Sequence, residues 1–329
     1  MKAARLVGLR QIELQEVARP EPGPFDVVVQ VQAAGICGTD RHLYHGEFPS
    51  RPPVTLGHEF AGLVVAAGAE SGHQVGGLVA CDPNIFCGTC PECRRGRVNL
   101  CARNVAIGLA RDGGFAEFAL IPGHRALPLP PGLGAEAGAF AEPLACTLHG
   151  LDVARLVPGE RAIVLGGGVI GLLAVQLARA AGAEVMLVTR HPAKREVALA
   201  LGAKFTAAST DEALALWPQG ADAVIECAGV PETMETAPRL ASSGGRVVIL
   251  GVLAKGAKVT IEPFDLLFRE VSLLPAFINP FTQSRALDLI ASGHVQTEPL
   301  ITRRLTLDEA PAAIAAPPPP GDIKTLILP

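Results

Sequence analysis

Four cysteines within a short stretch are the residues whose spacing says most about chemistry. Cys87, Cys90, Cys93 and Cys101 form a C-x2-C-x2-C-x7-C pattern. The two-residue gaps let successive thiolates turn back onto one centre, and four thiolates complete the closed tetrahedral shell of a structural zinc. The alternatives are a pair of disulfides or an iron–sulfur cluster, although ferredoxin runs place their fourth cysteine three residues on and before a proline. We predict a structural zinc, whose closed shell leaves no position for a substrate.

Two further motifs carry side chains that suit a second, open metal site. The segment GICGTDRH offers a thiol, a hydroxyl and an imidazole, and the segment GHEFAG offers an imidazole next to a carboxylate. A catalytic zinc needs about three protein ligands and one open position. Cys37 and His58 supply two of them. Glu142 is the best third ligand, because it lies where the first domain runs into the next, and Cys146 is a rival four residues later.

A glycine motif predicts a dinucleotide site. It follows a strand directly and opens a helix, in the order RAIVLGGGVIGLL. Its three spaced glycines provide a tight turn, close approach to a pyrophosphate, and close helix–strand packing, while the free amides at the helix start bind the diphosphate. The alternative is an ordinary glycine-rich turn. The predicted cofactor-binding residues of this motif are Gly166, Gly167, Gly168, Val169, Ile170 and Gly171.

The end of the second cofactor strand decides which nucleotide is favoured. NAD-binding chains normally carry an acid there for the ribose 2′-hydroxyl, whereas this strand ends at Thr189 and Arg190. A guanidinium can pair with a 2′-phosphate, and the threonine hydroxyl can donate to it. Lys194 and Arg195 follow and either help or are simply solvated. NADP is therefore predicted, with NAD possible.

The pattern of the rest of the chain indicates an α/β protein of two domains. Short Val-rich runs and many turns before residue 145 predict a β-rich domain. Apolar strands alternate with helices from 162 to 277, which indicates a parallel sheet. The predicted strands include Ala162–Leu165, Glu184–Thr189, Ala223–Cys227, Arg246–Gly251 and Val271–Phe277, and the predicted helices include Val169–Ala181, Ala193–Leu201 and Thr282–Ser292. Later strand-like segments, Ile301–Leu305 and Ile323–Leu328, are expected to close the first domain.

Composition excludes several classes of function. The 329 residues carry a formal charge of −4, are 49% hydrophobic and have a mean hydropathy of +0.34. This balance gives no electrostatic case for nucleic acid. The N-terminus lacks the apolar core of a signal peptide, and the longest apolar stretch is too short and too polar for a bilayer. Zinc-bound thiolates suit a reducing compartment, so we expect a cytoplasmic protein without membrane contact.

In this combination the motifs closely resemble the zinc-dependent medium-chain dehydrogenase/reductase family, in its polyol, sorbitol and threonine dehydrogenase branch. The resemblance spans essentially the whole chain. It implies a GroES-like catalytic domain at 1–146, completed by 279–329, and a Rossmann doubly wound cofactor domain at 147–278. It also implies that Cys37, His58 and Glu142 bind a catalytic zinc. Glu59 is then close enough either to replace one of these ligands on the metal or to hold them in place without binding the metal itself.

The same resemblance implies the reaction and its proton path. Hydride passes between a secondary alcohol and nicotinamide through a zinc-bound alkoxide, and the proton leaves through Thr39, the cofactor ribose and His42. Asp40 is expected to orient a neighbour. Two features depart from the family pattern: Arg190 stands where an acid is usual, and the loop Glu70–Leu78 is shorter than usual.

The leading interpretation is a zinc-dependent, NADP(H)-preferring alcohol or polyol dehydrogenase with a small-molecule substrate. The alternatives are a threonine 3-dehydrogenase-like NAD enzyme and a non-catalytic nucleotide-binding or redox-sensing protein. An apolar strand near Val271–Leu274 at the end of the cofactor sheet predicts a homodimer or homotetramer. Phe48, Phe115 and Phe277 are candidate pocket residues, equally plausible as core.

Overall fold

The computed structural model describes all 329 residues, which divide into two compact units. The sequence-based ranges differ from these units at three short segments, 143–146, 279–282 and 292–300, which lie with the second unit. The first unit comprises Met1–Glu142, Gln283–Ala291 and Ile301–Pro329, and the second comprises Pro143–Thr282 and Ser292–Leu300.

The strands are β1 (Lys2–Gly8), β2 (Gln11–Glu16), β3 (Asp26–Gly35), β4 (Val54–Thr55), β5 (Glu59–Ala67), β6 (Leu78–Cys81), β7 (Asn84–Ile85), β8 (Val105–Ala106), β9 (Phe118–Pro122), β10 (Ala126–Pro128), β11 (Arg161–Leu165), β12 (Glu184–Val188), β13 (Phe205–Ala207), β14 (Ala221–Glu226), β15 (Ala241–Ile249), β16 (Ser272–Pro275), β17 (Ile301–Thr306) and β18 (Lys324–Leu328). The helices are α1 (Gly38–His45), α2 (Pro91–Arg94), α3 (Ala135–Gly138), α4 (Ala141–Ala154), α5 (Val169–Ala180), α6 (Pro192–Ala200), α7 (Thr210–Leu216), α8 (Pro231–Leu240), α9 (Pro263–Arg269), α10 (Gln283–Ala291) and α11 (Ala310–Ala315).

The first unit is built around the long strand β3. Its sheet runs β10-β6-β5-β3-β18-β17, with β9 also paired to β3. Along β3 burial alternates only from Val29 to Ala33, where Gln30 and Gln32 are exposed, whereas Val27, Val28 and Val29 are all buried. The C-terminal strand β18 lies antiparallel to β3, so the end of the chain does return to the first unit.

The second unit is a six-stranded sheet in the order β13-β12-β11-β14-β15-β16. Every neighbouring pair in it is parallel. The central strands are buried and mainly apolar, as at Ile163–Leu165 of β11 and Ala223–Ile225 of β14, which is typical of a parallel sheet covered on both faces. The order reverses between β11 and β14, and ligands of open α/β sheets bind at the carboxyl ends of the strands beside such a switch point. The predicted Rossmann architecture is confirmed, with β13 as an edge strand that the sequence did not reveal.

The predicted helices in and after the sheet region also form, within one or two residues of their expected ends. In α5 the residues from Gly171 to Ala178 are buried and Ala180 is exposed. No helix of the chain combines the length and the apolar composition that a membrane-spanning segment needs.

Candidate active site

The four cysteines of the 87–101 lobe lie together with the spacing of a metal site. The Sγ atom of Cys87 is 3.9 Å from that of Cys93 and 3.6 Å from that of Cys101, and the Sγ atoms of Cys90 and Cys101 are 3.9 Å apart. A tetrahedron with Zn–S bonds of about 2.3 Å has its sulfurs about 3.8 Å apart, whereas disulfide sulfurs lie about 2.05 Å apart. The geometry therefore fits a four-thiolate zinc, and all four cysteines are free of disulfides.

Local backbone geometry prepares this lobe for an ion. The amide of Cys90 donates to the Cys87 sulfur at 3.3 Å, and the amide of Cys93 donates to the Cys90 sulfur at 3.5 Å. Backbone donors from Thr89 and Cys90 lower the pKa of Cys87 to about 5. Arg103 also reaches the Cys87 sulfur, at 3.2 Å. Amides and a guanidinium that favour a thiolate suit a metal ligand.

A second donor cluster forms where β3 gives way to α1 and where β5 begins. The ligand atoms of Cys37, His58 and Glu59 lie within 4.8 Å of one another. Cys37 is the N-cap of α1, and its sulfur accepts a hydrogen bond from the amide of Thr39 at 3.4 Å. His58 and Glu59 are buried at the start of β5. Sulfur, imidazole nitrogen and carboxylate oxygen are zinc's three usual donor types, so the cluster fits a catalytic zinc.

Asp40 lies behind this cluster and is fully buried. One of its oxygens accepts the amide of Cys37 at 2.9 Å, and the other lies 3.7 Å from Nδ1 of His58. Both of these facing atoms are buried without a hydrogen-bond partner. Burial disfavours a charge on His58, but Cys37 and Asp40 outweigh it and raise the pKa of His58 well above its usual value. Asp40 is thus placed to orient His58. The sequence predicted that Asp40 would orient a neighbour, without saying which one.

The predicted ligand Glu142 is not a member of this donor cluster. It is buried in the first turn of α4, but it is not one of the residues whose ligand atoms lie within 4.8 Å of one another. Its rival Cys146 is outside that group as well. The third donor beside Cys37 and His58 is Glu59, which the sequence offered as an exchanging or supporting residue. The assignment of Glu142 as a ligand stays a prediction.

A buried lysine that no sequence motif marks touches the cluster. Lys324, in β18, pairs with the carboxylate of Glu59. Burial disfavours its charge, but Glu59 and the Cys37 sulfur outweigh that effect and raise the pKa of the amine. A single lysine at the head of an apolar strand, KTLIL, was the only signal available in the sequence.

The predicted proton-relay residues share helix α1. Thr39 and His42 are both half-buried and three positions apart, so they lie on the same side of the helix. Nδ1 of His42 meets the carboxylate of Glu47 at 2.6 Å. Glu47 was also missed, because it follows the helix and no motif marks it.

The glycine motif forms the turn from β11 into α5. Gly166 adopts a φ of +105°, which favours glycine. A side chain on Gly171 would collide with the backbone oxygen of Gly166, and one on Gly168 would meet nothing within 4 Å. The first contact explains close helix–strand packing, and the second leaves room for a ligand at the start of α5. Gly168 is the N-cap of α5 and no side chain caps the helix, so the amides of Val169, Ile170 and Gly171 are available to an anion, whereas that of Leu172 donates to the backbone oxygen of Gly168.

The four residues predicted to bind a 2′-phosphate surround the end of β12. They differ in how free their side chains are to contact an anion. Thr189 is buried beside Gly167, and Arg195 donates to the backbone oxygen of Thr189 at 2.8 Å. Lys194 is half-buried and also packs next to Gly167. Arg190 is exposed and unpaired. Of the two arginines, Arg190 is therefore the one free to receive an anion, while Arg195 braces the strand end.

The three candidate pocket phenylalanines have different environments. Phe115 is fully buried in the core of the first unit, and Phe48 packs against that core from a half-buried position. Phe277 in the second unit is 51% exposed. Phe115 is thus a core residue.

Comparison with known proteins agrees with this geometry. The sequence-family model of the alcohol dehydrogenase GroES-like domain matches residues 23–131. The sequence-family model of the zinc-binding dehydrogenase matches residues 169–292. A structure described as a zinc-binding dehydrogenase from Sinorhizobium meliloti 1021, solved bound to NADP, is 53% identical, covers 100% of this chain and 99% of its own, and superposes with a TM-score of 0.97.

Two curated relatives are dehydrogenases of about the same length. The 2-dehydro-3-deoxy-L-galactonate 5-dehydrogenase of Pseudoalteromonas atlantica is 32% identical over 96% of this chain and 94% of its own. The D-altritol 5-dehydrogenase of Agrobacterium fabrum is 33% identical over 94% of each. These matches confirm the predicted GroES-like and Rossmann fold and the predicted enzyme class. The chain belongs to the zinc-dependent medium-chain dehydrogenase/reductase family.

Proposed function

We propose that the chain is an NADP(H)-preferring dehydrogenase that interconverts a secondary hydroxyl of a polyol or sugar derivative and the corresponding carbonyl. The observation that carries the proposal is the donor cluster of Cys37, His58 and Glu59, whose ligand atoms lie within 4.8 Å of one another. A bound zinc would supply a Lewis acid at these residues. An open site of this kind is what distinguishes a catalytic zinc from the closed four-cysteine site.

The residues around the cluster have roles that follow from their contacts. Asp40 holds the α1 N-terminus at Cys37 and faces His58, so it keeps two ligands in register. Thr39 presents a hydroxyl in the first turn of α1, and His42 presents an imidazole one turn later. A hydroxyl and an imidazole on one helix face can move the alcohol proton towards solvent.

The preference for NADP rests on the end of β12. Arg190 is exposed and carries a guanidinium fork where an acid would repel a 2′-phosphate. The similar structure from Sinorhizobium meliloti contains NADP, which supports the same choice. Thr189 and Lys194 pack beside Gly167 and would complete the phosphate-binding surface.

The substrate class rests on the names of the relatives. The galactonate derivative and D-altritol are both polyhydroxylated carbon chains, and both enzymes are named for dehydrogenation at position 5. We therefore expect a polyol, a sugar alcohol or a sugar acid, with the reacting hydroxyl on a secondary carbon.

A substrate panel tests the proposal. Purified protein is assayed with polyols, sugar acids and simple secondary alcohols, each with NADP and with NAD. The expected result is turnover of at least one polyhydroxylated substrate, with a higher kcat/KM for NADP. Activity on L-threonine alone with NAD would instead favour the threonine dehydrogenase interpretation, and no turnover with any substrate would favour a non-catalytic nucleotide-binding protein.

We also propose a homodimer or homotetramer in the cytoplasm. The outer edge of β16 has no partner strand within the chain, and α9 just before it exposes Phe264, Leu267 and Phe268 at 64%, 73% and 72%. An open strand edge next to exposed apolar side chains favours pairing with a second copy. Four thiolates reserved for zinc suit a reducing compartment.

A further inference from the structure

Lys324 is one of the most deeply buried charged side chains of the chain, at 1% exposure. Its amine donates to the backbone oxygen of Ile36 at 3.1 Å and to the carboxylate of Glu59. A lysine is seldom fully buried unless it is paired. The carboxylate that offsets the cost of this burial belongs to Glu59, a member of the donor cluster. Lys324 therefore contacts the proposed zinc site directly.

The sheet brings the two side chains together across β3. Glu59 in β5 is the register partner of Gly35 on one side, and Leu326 in β18 is its partner on the other. The pair meets over Gly35. A Cβ atom at Gly35 would collide with the Glu59 carboxylate and with the Lys324 side chain, so the absence of a side chain there makes the space for the ion pair.

This pair competes with a metal for the same carboxylate. Oε2 of Glu59 accepts from Lys324, while the carboxylate also lies within reach of the Cys37 sulfur and the His58 ring. A fixed positive charge beside the cluster opposes a divalent cation there by Coulomb repulsion, in a buried setting where screening is weak. A carboxylate held by an amine is also a poorer metal ligand than a free one, since its lone pairs are already engaged.

We propose that Lys324 is a positioning residue that weakens the hold of Glu59 on the catalytic metal, so that the metal stays exchangeable. This inference rests on the proposed function, because it takes the Cys37–His58–Glu59 cluster to be the zinc site. When Lys324 is absent, Glu59 remains on the metal as a permanent ligand. The metal is then held more tightly and exchanges more slowly.

Variants at Lys324 and Glu59 test it in the zinc-loaded full-length protein. Lys324→Met removes the charge at similar length, Lys324→Arg keeps the ion pair as the matched control, and Glu59→Gln is added to Lys324→Met as a reversal. The measurement is the rate at which the exchangeable zinc passes to a coloured chelator, together with the visible spectrum of the cobalt-substituted protein. Changes behind the ligands of a metal site typically alter metal affinity about 10- to 100-fold.

The expected result is zinc release at least about tenfold slower in Lys324→Met, with a changed cobalt spectrum. Lys324→Arg should resemble the wild type, and Glu59→Gln in the Met background should restore fast release. A lysine that only stabilises the fold would not slow release. Lys324→Gln serves where Lys324→Met does not fold. It keeps a hydrogen-bond donor for Glu59 but removes the charge, so it should also slow zinc release, by a smaller factor.

Release at the wild-type rate or faster in folded Lys324→Met and Lys324→Gln would overturn the inference. So would slow release that persists after Glu59→Gln, because the slowing would not then come from that carboxylate. The wild type is measured first: a wild type with no exchangeable zinc overturns the proposed function as well. An exchangeable zinc in the wild type with unaltered variants overturns the role of Lys324 alone.

Discussion

Nδ1 of His42 donates a hydrogen bond to Oε2 of Glu47 at 2.6 Å, around the C-terminal end of α1. The helix ends at His45, and its C-cap Gly46 has a φ of 73°, in the left-handed region. This turn brings the amide of Glu47 back onto the carbonyl of His42 at 2.8 Å. The carboxylate thus fixes which ring nitrogen of His42 carries the proton and leaves Nε2 as the acceptor.

Glu47→Gln should therefore slow turnover without abolishing it. The amide can orient the ring less well and cannot stabilise its charged form, so we expect kcat to fall roughly three- to tenfold, below the effect of losing a general base altogether. Steady-state kinetics against His42→Gln check this, since that variant removes the imidazole and should lose more. Equal losses in both variants would show that Glu47 acts in some other way.

Glu47 also makes stability depend on pH in one direction. The hydrogen bond from His42 lowers the pKa of Glu47 below its ordinary value of 4.5. A lowered folded-state pKa gives stability that is present above the unfolded value and is lost as pH falls through the folded value. At neutral pH the wild type should therefore unfold at a higher urea concentration than Glu47→Gln. This difference in urea midpoint should disappear well below pH 4.5. A difference that grew as the pH fell would contradict a lowered pKa for Glu47.

Loss of one cysteine of the closed site should cost a zinc and much of the stability. Cys101 is buried and its sulfur lies 3.6 Å from that of Cys87. Because a structural metal contributes its binding energy to folding, Cys101→Ser should lower bound zinc by one per chain and lower the Tm by roughly 5–10 °C. Cys227→Ser is the control: this cysteine lies outside both donor clusters and should leave the zinc count unchanged.

Arg190 should decide between the two nucleotides. Losing one charged, forked contact to a 2′-phosphate should weaken NADP binding about ten- to a hundredfold, while NAD binding changes little. Arg190→Ala is therefore expected to lower the NADP/NAD ratio of kcat/KM, and Arg190→Asp to reverse the preference. Arg239→Ala is the control, since Arg239 is an exposed arginine of the same unit at the far end of α8. An unchanged ratio in Arg190→Ala would refute the cofactor assignment but not the enzyme class.

The exposed face of α9 should hold two copies together. The rings of Phe264 and Phe268 stack on each other with centroids 4.2 Å apart and remain largely exposed. A charge in an apolar interface is costly to bury, so Phe268→Glu should shift the protein towards a monomer of 34.1 kDa in light scattering. A wild type that is itself a monomer at working concentration would contradict the proposed oligomer.

Local sequence rules predicted most of the fold and the two motif-based sites. Cysteine spacing within 87–101 and the glycine turn from Gly166 depend on neighbours in the chain, which a sequence displays directly. Apolar periodicity likewise located β11, β12, β14 and β15. The short edge strand β13 was missed because its three residues, Phe205–Ala207, are too few to show a period.

What was missed depends on contacts between distant residues. Lys324 meets Glu59 only because β18 and β5 flank β3, and strand order cannot be read from a linear pattern. Glu142 was favoured as a ligand from its position near the domain boundary and stays a prediction, while the structure groups Glu59 with Cys37 and His58. Glu47 reaches His42 through the turn at Gly46, which no spacing rule specifies.

A zinc count made alongside turnover tests the zinc dependence of the reaction most directly. The wild type should contain two zincs per chain, one tightly held by the four cysteines and one exchangeable. Removing the exchangeable zinc with a chelator should abolish turnover while cofactor binding stays measurable, and restoring zinc should restore the rate. Full activity in protein shown to hold a single zinc per chain would contradict the assignment of a zinc-dependent dehydrogenase.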